Sequence, residues 1–174
     1  MKYLLNILSL IVLIASFHAC KDDNDTDIWR EKNLNAYEAV TKNPDFHALQ
    51  TETGPSGVYY KIIKTGTGTE YPLQTSNVKV LYKGTYYDGT VFDYGSSLNE
   101  IPVEFSLAGQ NLIRGFSFAL QQMVVGDRWE IWIPYFLGYG ANGYYDSYSY
   151  QLIVKGYTTL IFEVELVSIT QYPL

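Results

Sequence analysis

A chain of 174 residues, 47% of them apolar, is long enough for one domain with additions and apolar enough to bury a core. Its formal charge of −6 and lack of any Lys/Arg block exclude the phosphate-neutralising surface that nucleic acid requires. Two histidines, His18 and His47, and one cysteine, Cys20, are too few for a zinc site of three or four protein ligands, so neither metal nor other cofactor is expected. Cys–His or Ser–His–Asp catalysis would have to run through His47, which follows Pro44 in a polar stretch without a nucleophile motif. The expected chemistry therefore uses no metal and no covalent intermediate. The 17 tyrosines suit packed strands and wet binding surfaces alike, because each ring is large and apolar with a polar tip.

Residues 1–19 read as a signal peptide. Lys2 supplies the positive end, and Leu4–Phe17 is an apolar run too short for a comfortable membrane span. Ala19 precedes Cys20, and the segment resembles a bacterial lipoprotein signal, in which such a cysteine is acylated. Phe17 and His18 depart from the usual residues at their positions. The resemblance implies a membrane partner through a lipid anchor at Cys20 and an outer-membrane location, periplasmic or cell-surface. Four acids in the seven residues Lys21–Asp27 make a solvated stretch that cannot join a core. Residues 20–26 are therefore read as an acidic tether. This run also looks like the Lys-acid-acid signal that sends some Gram-negative lipoproteins to the surface.

Trp29, Ala36, Tyr37 and Val40 fall near one face of a helix expected over 27–42 and stopped by Asn43-Pro44. That face either packs on the main domain or pairs with a second copy. Gln50–Gly57 is polar, carries Gly and Pro, and marks a boundary. It separates a helical segment and linker, 27–56, from a main domain, 57–174. Beyond it the texture is that of strands. Val58–Lys64, Val78–Tyr82, Val103–Leu107, Arg128–Ile133 and Leu160–Ile169 are β-rich or alternating, and Asp88-Gly89 marks a hairpin turn. One helix interrupts them, with Phe116, Ala119, Leu120 and Met123 as its apolar stripe and Gly126-Asp127 beyond its end. A single short helix among antiparallel strands implies an α+β fold with the helix on one sheet face. Gly66-Thr67-Gly68 lacks phosphate-loop spacing and is read as a turn.

The motifs have a distinctive order. Val80-Leu81-Tyr82-Lys83-Gly84 is followed by Asp88-Gly89-Thr90-Val91-Phe92-Asp93, Pro102-Val103-Glu104-Phe105 and Gln110-Asn111-Leu112-Ile113-Arg114-Gly115-Phe116. Then come Met123-Val124-Val125-Gly126-Asp127, Ile133-Pro134, Gly138-Tyr139-Gly140 and Thr159–Leu166. Over roughly residues 57–170 this resembles the FKBP-type peptidyl-prolyl isomerase domain. The resemblance implies an antiparallel sheet of five or six strands wrapped around one short helix. It also implies activity on proline-containing polypeptides during the folding of exported proteins. Tyr82, Phe92, Asp93, Val103, Phe105, Leu112, Ile113, Phe116, Tyr139 and Phe162 would line the pocket. Phe116 would be its floor, Phe105, Phe162, Val103 and Leu112 its walls, and the Ile113 N–H and Tyr139 hydroxyl its carbonyl donors. Asp93, held by Tyr82, would act electrostatically.

This sequence departs from the family pattern in three places. Phe116 stands where many relatives have Trp. No basic residue follows Asp93 within Tyr94–Glu100. The segment between Gly143 and Thr159 is longer than usual and has Lys155-Gly156 in place of a proline pair. Two other readings use the same features: a non-catalytic peptide-binding or chaperone module, and a surface binding lipoprotein stacking ligands on Tyr144, Tyr145, Tyr148 and Tyr150. The oligomeric state is not legible in the sequence.

Overall fold

The computed structural model of the chain describes residues 21–95, 101–109 and 112–170. The expected leader and Cys20 lie outside the described residues. Helix α1 spans Lys21–Thr41, so it takes in most of the acidic stretch read as a tether. Residues 24–28 are exposed there, as a solvated stretch should be. The helix ends where expected, one turn before Pro44.

Among the described residues nine strands follow: β1 (His47–Thr51), β2 (Gly54–Lys64), β3 (Asn77–Thr85), β4 (Val91–Tyr94), β5 (Val103–Ser106), β6 (Arg128–Ile133), β7 (Tyr144–Tyr145), β8 (Leu152–Val154) and β9 (Leu160–Thr170), with helix α2 (Arg114–Leu120) between β5 and β6. Seven of them form one antiparallel sheet in the order β1-β2-β6-β9-β3, with β4 and β5 sharing the far edge of β3. The sheet is therefore six strands wide. It also begins ten residues before the boundary expected at 57. β1 and β2 form a hairpin about Thr51–Gly54. The polar sequence of β1 hides it, because Leu49 alone among its residues is fully buried. β7 and β8 form a separate small hairpin.

Alternation decides which face is core. In β6, Trp129, Ile131 and Ile133 are buried, while Arg128, Glu130 and Trp132 face the other way. In β9, Leu160, Phe162, Val164 and Leu166 are buried. Against this face lie Phe116, Ala119 and Leu120 of α2, with Met123 just beyond it. Asp127 fixes the loop before β6: its carboxylate accepts the N–H of Gly66 at 2.7 Å and of Val124 at 2.8 Å.

Helix α1 packs on this body through the face that includes Trp29, Ala36, Tyr37 and Val40. The fifth member of the face is Asn33, fully buried. Its side-chain carbonyl accepts Thr159 N–H at 2.9 Å, and its backbone carbonyl accepts the Thr159 hydroxyl at 3.2 Å. Trp29 donates its indole N–H to Thr158 at 3.0 Å, and the Tyr37 hydroxyl donates to the Gly57 carbonyl at 2.6 Å. Burial, with the nearby Tyr59 phenol secondary, pushes the Tyr37 hydroxyl up to about 12. An apolar-period reading misses Asn33, because a polar residue on a docking face shows only once its partners are known.

Candidate active site

One end of the helix–sheet interface is walled by aromatic rings. Phe116 on α2 is buried, as is Phe162 on β9; their centroids are 4.9 Å apart. Tyr82 on β3 lies 5.8, 5.7 and 6.0 Å from Phe105, Phe116 and Phe162. Phe105 meets Phe116 at 6.1 Å, and Phe92 on β4 meets Phe162 at 5.5 Å. Most of these pairs are tilted or edge-to-face, the arrangement that the ring quadrupoles favour. Val103 stands two residues before Phe105 on β5 and so shares its face, opposite Val80.

The polar groups sit at the rim. The Tyr82 hydroxyl donates to Asp93 Oδ2 at 2.9 Å. Desolvation by burial raises the Tyr82 phenol well above its ordinary value; the Asp93 hydrogen bond and charge, and the Tyr139 phenol, add to it. The Tyr139 phenol is raised by burial first and then by the Asp93 charge. Both phenols therefore stay protonated at neutral pH, and the Tyr82 hydroxyl is the one that donates to the carboxylate. Tyr139 follows the short helical turn Tyr135–Leu137 and stacks on Tyr144 of β7 at 5.0 Å. Ile113 caps α2 in extended conformation (φ −64°, ψ 143°), half-buried beside Leu112, and both pack against the core.

Of the ten pocket residues read from the sequence, the structure joins Tyr82, Phe92, Asp93, Phe105, Phe116 and Phe162 through ring contacts and the Tyr82–Asp93 hydrogen bond, while Tyr139 packs against the core with its ring on Tyr144. Val103, Leu112 and Ile113 flank them by position. Two glycines missed by that reading make room for the cluster. A Cβ on Gly95 would fall 1.5 Å from the Tyr82 ring, and one on Gly84 would fall 2.7 Å from Phe92. Any side chain at Gly95 would displace the tyrosine that holds Asp93. Tyr86 was missed too. It stacks on Phe92 at 5.0 Å, and its signal was an aromatic beside the Asp88-Gly89 turn.

The sequence and the fold match a known family. The profile of the FKBP-type peptidyl-prolyl cis-trans isomerases aligns with residues 68–167, and the chain belongs to that family. It is 40% identical over 114 residues to the FKBP-type 22 kDa peptidyl-prolyl cis-trans isomerase of Escherichia coli (strain K12), covering 66% of this chain and 50% of that one. It is 37% identical over 115 residues to the outer membrane protein MIP of Legionella longbeachae, covering 66% and 45%. The chain thus spans about half the length of the curated relatives it matches. Among solved structures, a peptidyl-prolyl cis-trans isomerase from Pseudomonas syringae superposes with TM-score 0.68 and 28% identity, over 84% of this chain and 96% of that one. FkpA from Escherichia coli superposes with TM-score 0.69 and 26% identity, over 97% and 71%.

Proposed function

We propose that this chain is a peptidyl-prolyl cis-trans isomerase acting on proline-containing segments of exported proteins. The observation that carries the reading is the Tyr82–Asp93 hydrogen bond at the rim of a ring cluster formed by Phe92, Phe105, Phe116 and Phe162. Rotation about an X–Pro bond faces a barrier of about 18–20 kcal/mol, and no covalent bond is made or broken. The planar amide is more dipolar than the twisted one. An apolar pocket that removes water therefore costs the ground state more than the transition state. Phe116 floors the site beneath the proline ring, and Phe105, Phe162, Val103 and Leu112 enclose it. The Ile113 N–H and the Tyr139 hydroxyl hold the flanking carbonyls. Asp93, oriented by Tyr82, favours the twisted amide; because the residue is exposed, water screens part of its effect. A reference protein whose slow refolding is limited by X–Pro isomerisation tests the activity. The full chain is expected to speed its slow phase in proportion to enzyme concentration. An unchanged slow phase would reject the reading.

Phe116 in the floor position favours one alternative, a module that grips extended peptide without turnover. A ring smaller than Trp gives less apolar area and no indole N–H. Peptide binding without acceleration in the same experiment would support it.

The location rests on the leader and on relatives. The Legionella relative carries the name outer membrane protein MIP, and residues 1–20 have the order of a lipoprotein signal. Among the described residues no helix is long and apolar enough to cross a membrane. Lipidation at Cys20 would supply the anchor, leaving the domain on the periplasmic or cell-surface side of the outer membrane. Replacing Cys20 by Ala is expected to move the protein from the membrane fraction to the soluble one; retention in membranes would contradict the anchor.

A further inference from the structure

We propose that Tyr86 is a positioning residue: a strut between the Phe92 wall of the pocket and the tyrosine-rich hairpin β7–β8, braced from behind by helix α1. The proposal rests on the isomerase reading for its kinetic consequence, though not for its structural one. The Tyr86 ring stacks on Phe92 at 5.0 Å with the planes 23° apart. At its other end, its hydroxyl donates to the Ile153 carbonyl at 3.2 Å.

Ile153 is the bulged residue of the hairpin, where the pairing slips from Tyr144↔Val154 to Tyr145↔Leu152. A bulge frees backbone groups from the ladder, and the Tyr86 hydroxyl takes one of them. The same hairpin places Tyr144 on Tyr139, the rim donor, at 5.0 Å. One tyrosine thus touches both sides of the pocket mouth: the wall directly, and the rim through the hairpin.

The bracing comes from Trp29. Its ring meets Tyr86 edge-on at 5.5 Å, and it lies 5.5 Å from Tyr87 as well. It is itself pinned by the 3.0 Å bond to Thr158 and by the Lys155 ammonium 5.1 Å from its ring. Because Lys155, Thr158 and Ile153 all belong to the segment after β7, the helix and the hairpin are fastened to each other and to Tyr86. Burial raises the Tyr86 phenol, with the Asp88 charge as a smaller cause, so the strut keeps its proton at neutral pH. The consequence is that the N-terminal helix helps set how firmly the mouth closes on the residues flanking a client proline.

Three variants of the full chain test this. Tyr86→Phe keeps the stack on Phe92 and loses the hydroxyl. It is expected to speed amide hydrogen exchange at the Asp146 and Tyr150 N–H groups and to raise KM for a long X–Pro peptide about threefold with kcat unchanged, the scale of one neutral hydrogen bond. Tyr86→Ala loses both contacts and is expected to lower kcat as well. Trp29→Ala is expected to reproduce the faster exchange of Tyr86→Phe, and Trp29→Phe to restore most of the protection. Hairpin exchange and KM both unchanged in Tyr86→Phe would overturn the strut. Faster exchange in a protein without isomerase activity would uphold the strut and reject the isomerase reading instead.

Discussion

The molecule uses aromatic residues in two regions with opposite outcomes. In the ring cluster, Phe116 and Phe162 are buried, and Phe116 touches three other rings. At the hairpin tip, Tyr148 is 92% exposed and Tyr150 81% exposed. The tip is nonetheless ordered. Asp146 accepts the N–H groups of Tyr148 and Ser149 at 3.2 and 2.7 Å and the Ser149 hydroxyl at 2.7 Å. The ring cluster is held by packing backed by a helix and sheet, whereas the tip is held by backbone and one carboxylate while its rings contribute little. An aromatic residue reads as wall, rim or free surface according to what stands behind it. Residue type alone does not decide the matter.

The sharpest way to break this comparison is to remove one ring from each region. Phe116→Ala is expected to cost about 3–5 kcal/mol of stability in a chemical-denaturation curve, as large-to-small changes in packed sites do. A loss below about 1 kcal/mol would mean that the cluster is not packed as described. Tyr139→Phe removes the hydroxyl proposed to hold a client carbonyl and leaves the ring on Tyr144. Its stability should barely move, while kcat/KM falls by about two- to tenfold, the range of one neutral hydrogen bond.

Alkaline titration sharpens the same contrast. The Tyr82 phenol is raised in the folded protein by burial and by Asp93. The unfolded chain ionises that tyrosine first, near the ordinary value of about 10, while the native one still holds its proton. This contribution to stability is complete below the unfolded value and is lost as pH rises from there through the native one. Melting temperatures measured from pH 9 upward should therefore fall less steeply in Tyr82→Phe than in the wild type. Equal slopes would show that Tyr82 carries no such linkage. The smallest effect is expected at the tip: Tyr148→Ser should change stability by no more than about 0.5 kcal/mol, and a larger loss would reveal contacts that the exposed ring does not show.

The ring cluster of Tyr82, Phe92, Phe105, Phe116 and Phe162 was legible in the sequence, the periphery much less so. Tyr82, Phe92, Asp93, Phe105, Phe116 and Phe162 span some eighty positions, and the order of their motifs groups them. Strand alternation around Trp129–Ile133 and Leu160–Leu166 was equally plain, because burial on one face writes a period of two. β1 was illegible because a five-residue strand with a single buried side chain has no such period. The helical state of the stretch from Lys21 to Asp27 was hidden because its acids show no apolar period and read as a solvated segment. Asn33, Gly95 and Tyr86 were hidden for a shared reason. Each matters through a partner far away in sequence: Thr159, Tyr82 and Ile153.

The central claim is that the Asp93–Tyr82 pair makes the ring cluster an isomerase site. It is tested most directly by NMR exchange spectroscopy on an X–Pro peptide, comparing the full chain with its Asp93→Leu variant. The wild type is expected to accelerate cis–trans exchange, and the variant to do so about tenfold less while keeping its fold, equivalent to about 1.4 kcal/mol of transition-state preference. Equal acceleration by both proteins would contradict the role given to Asp93, and no acceleration by either would contradict the claim as a whole.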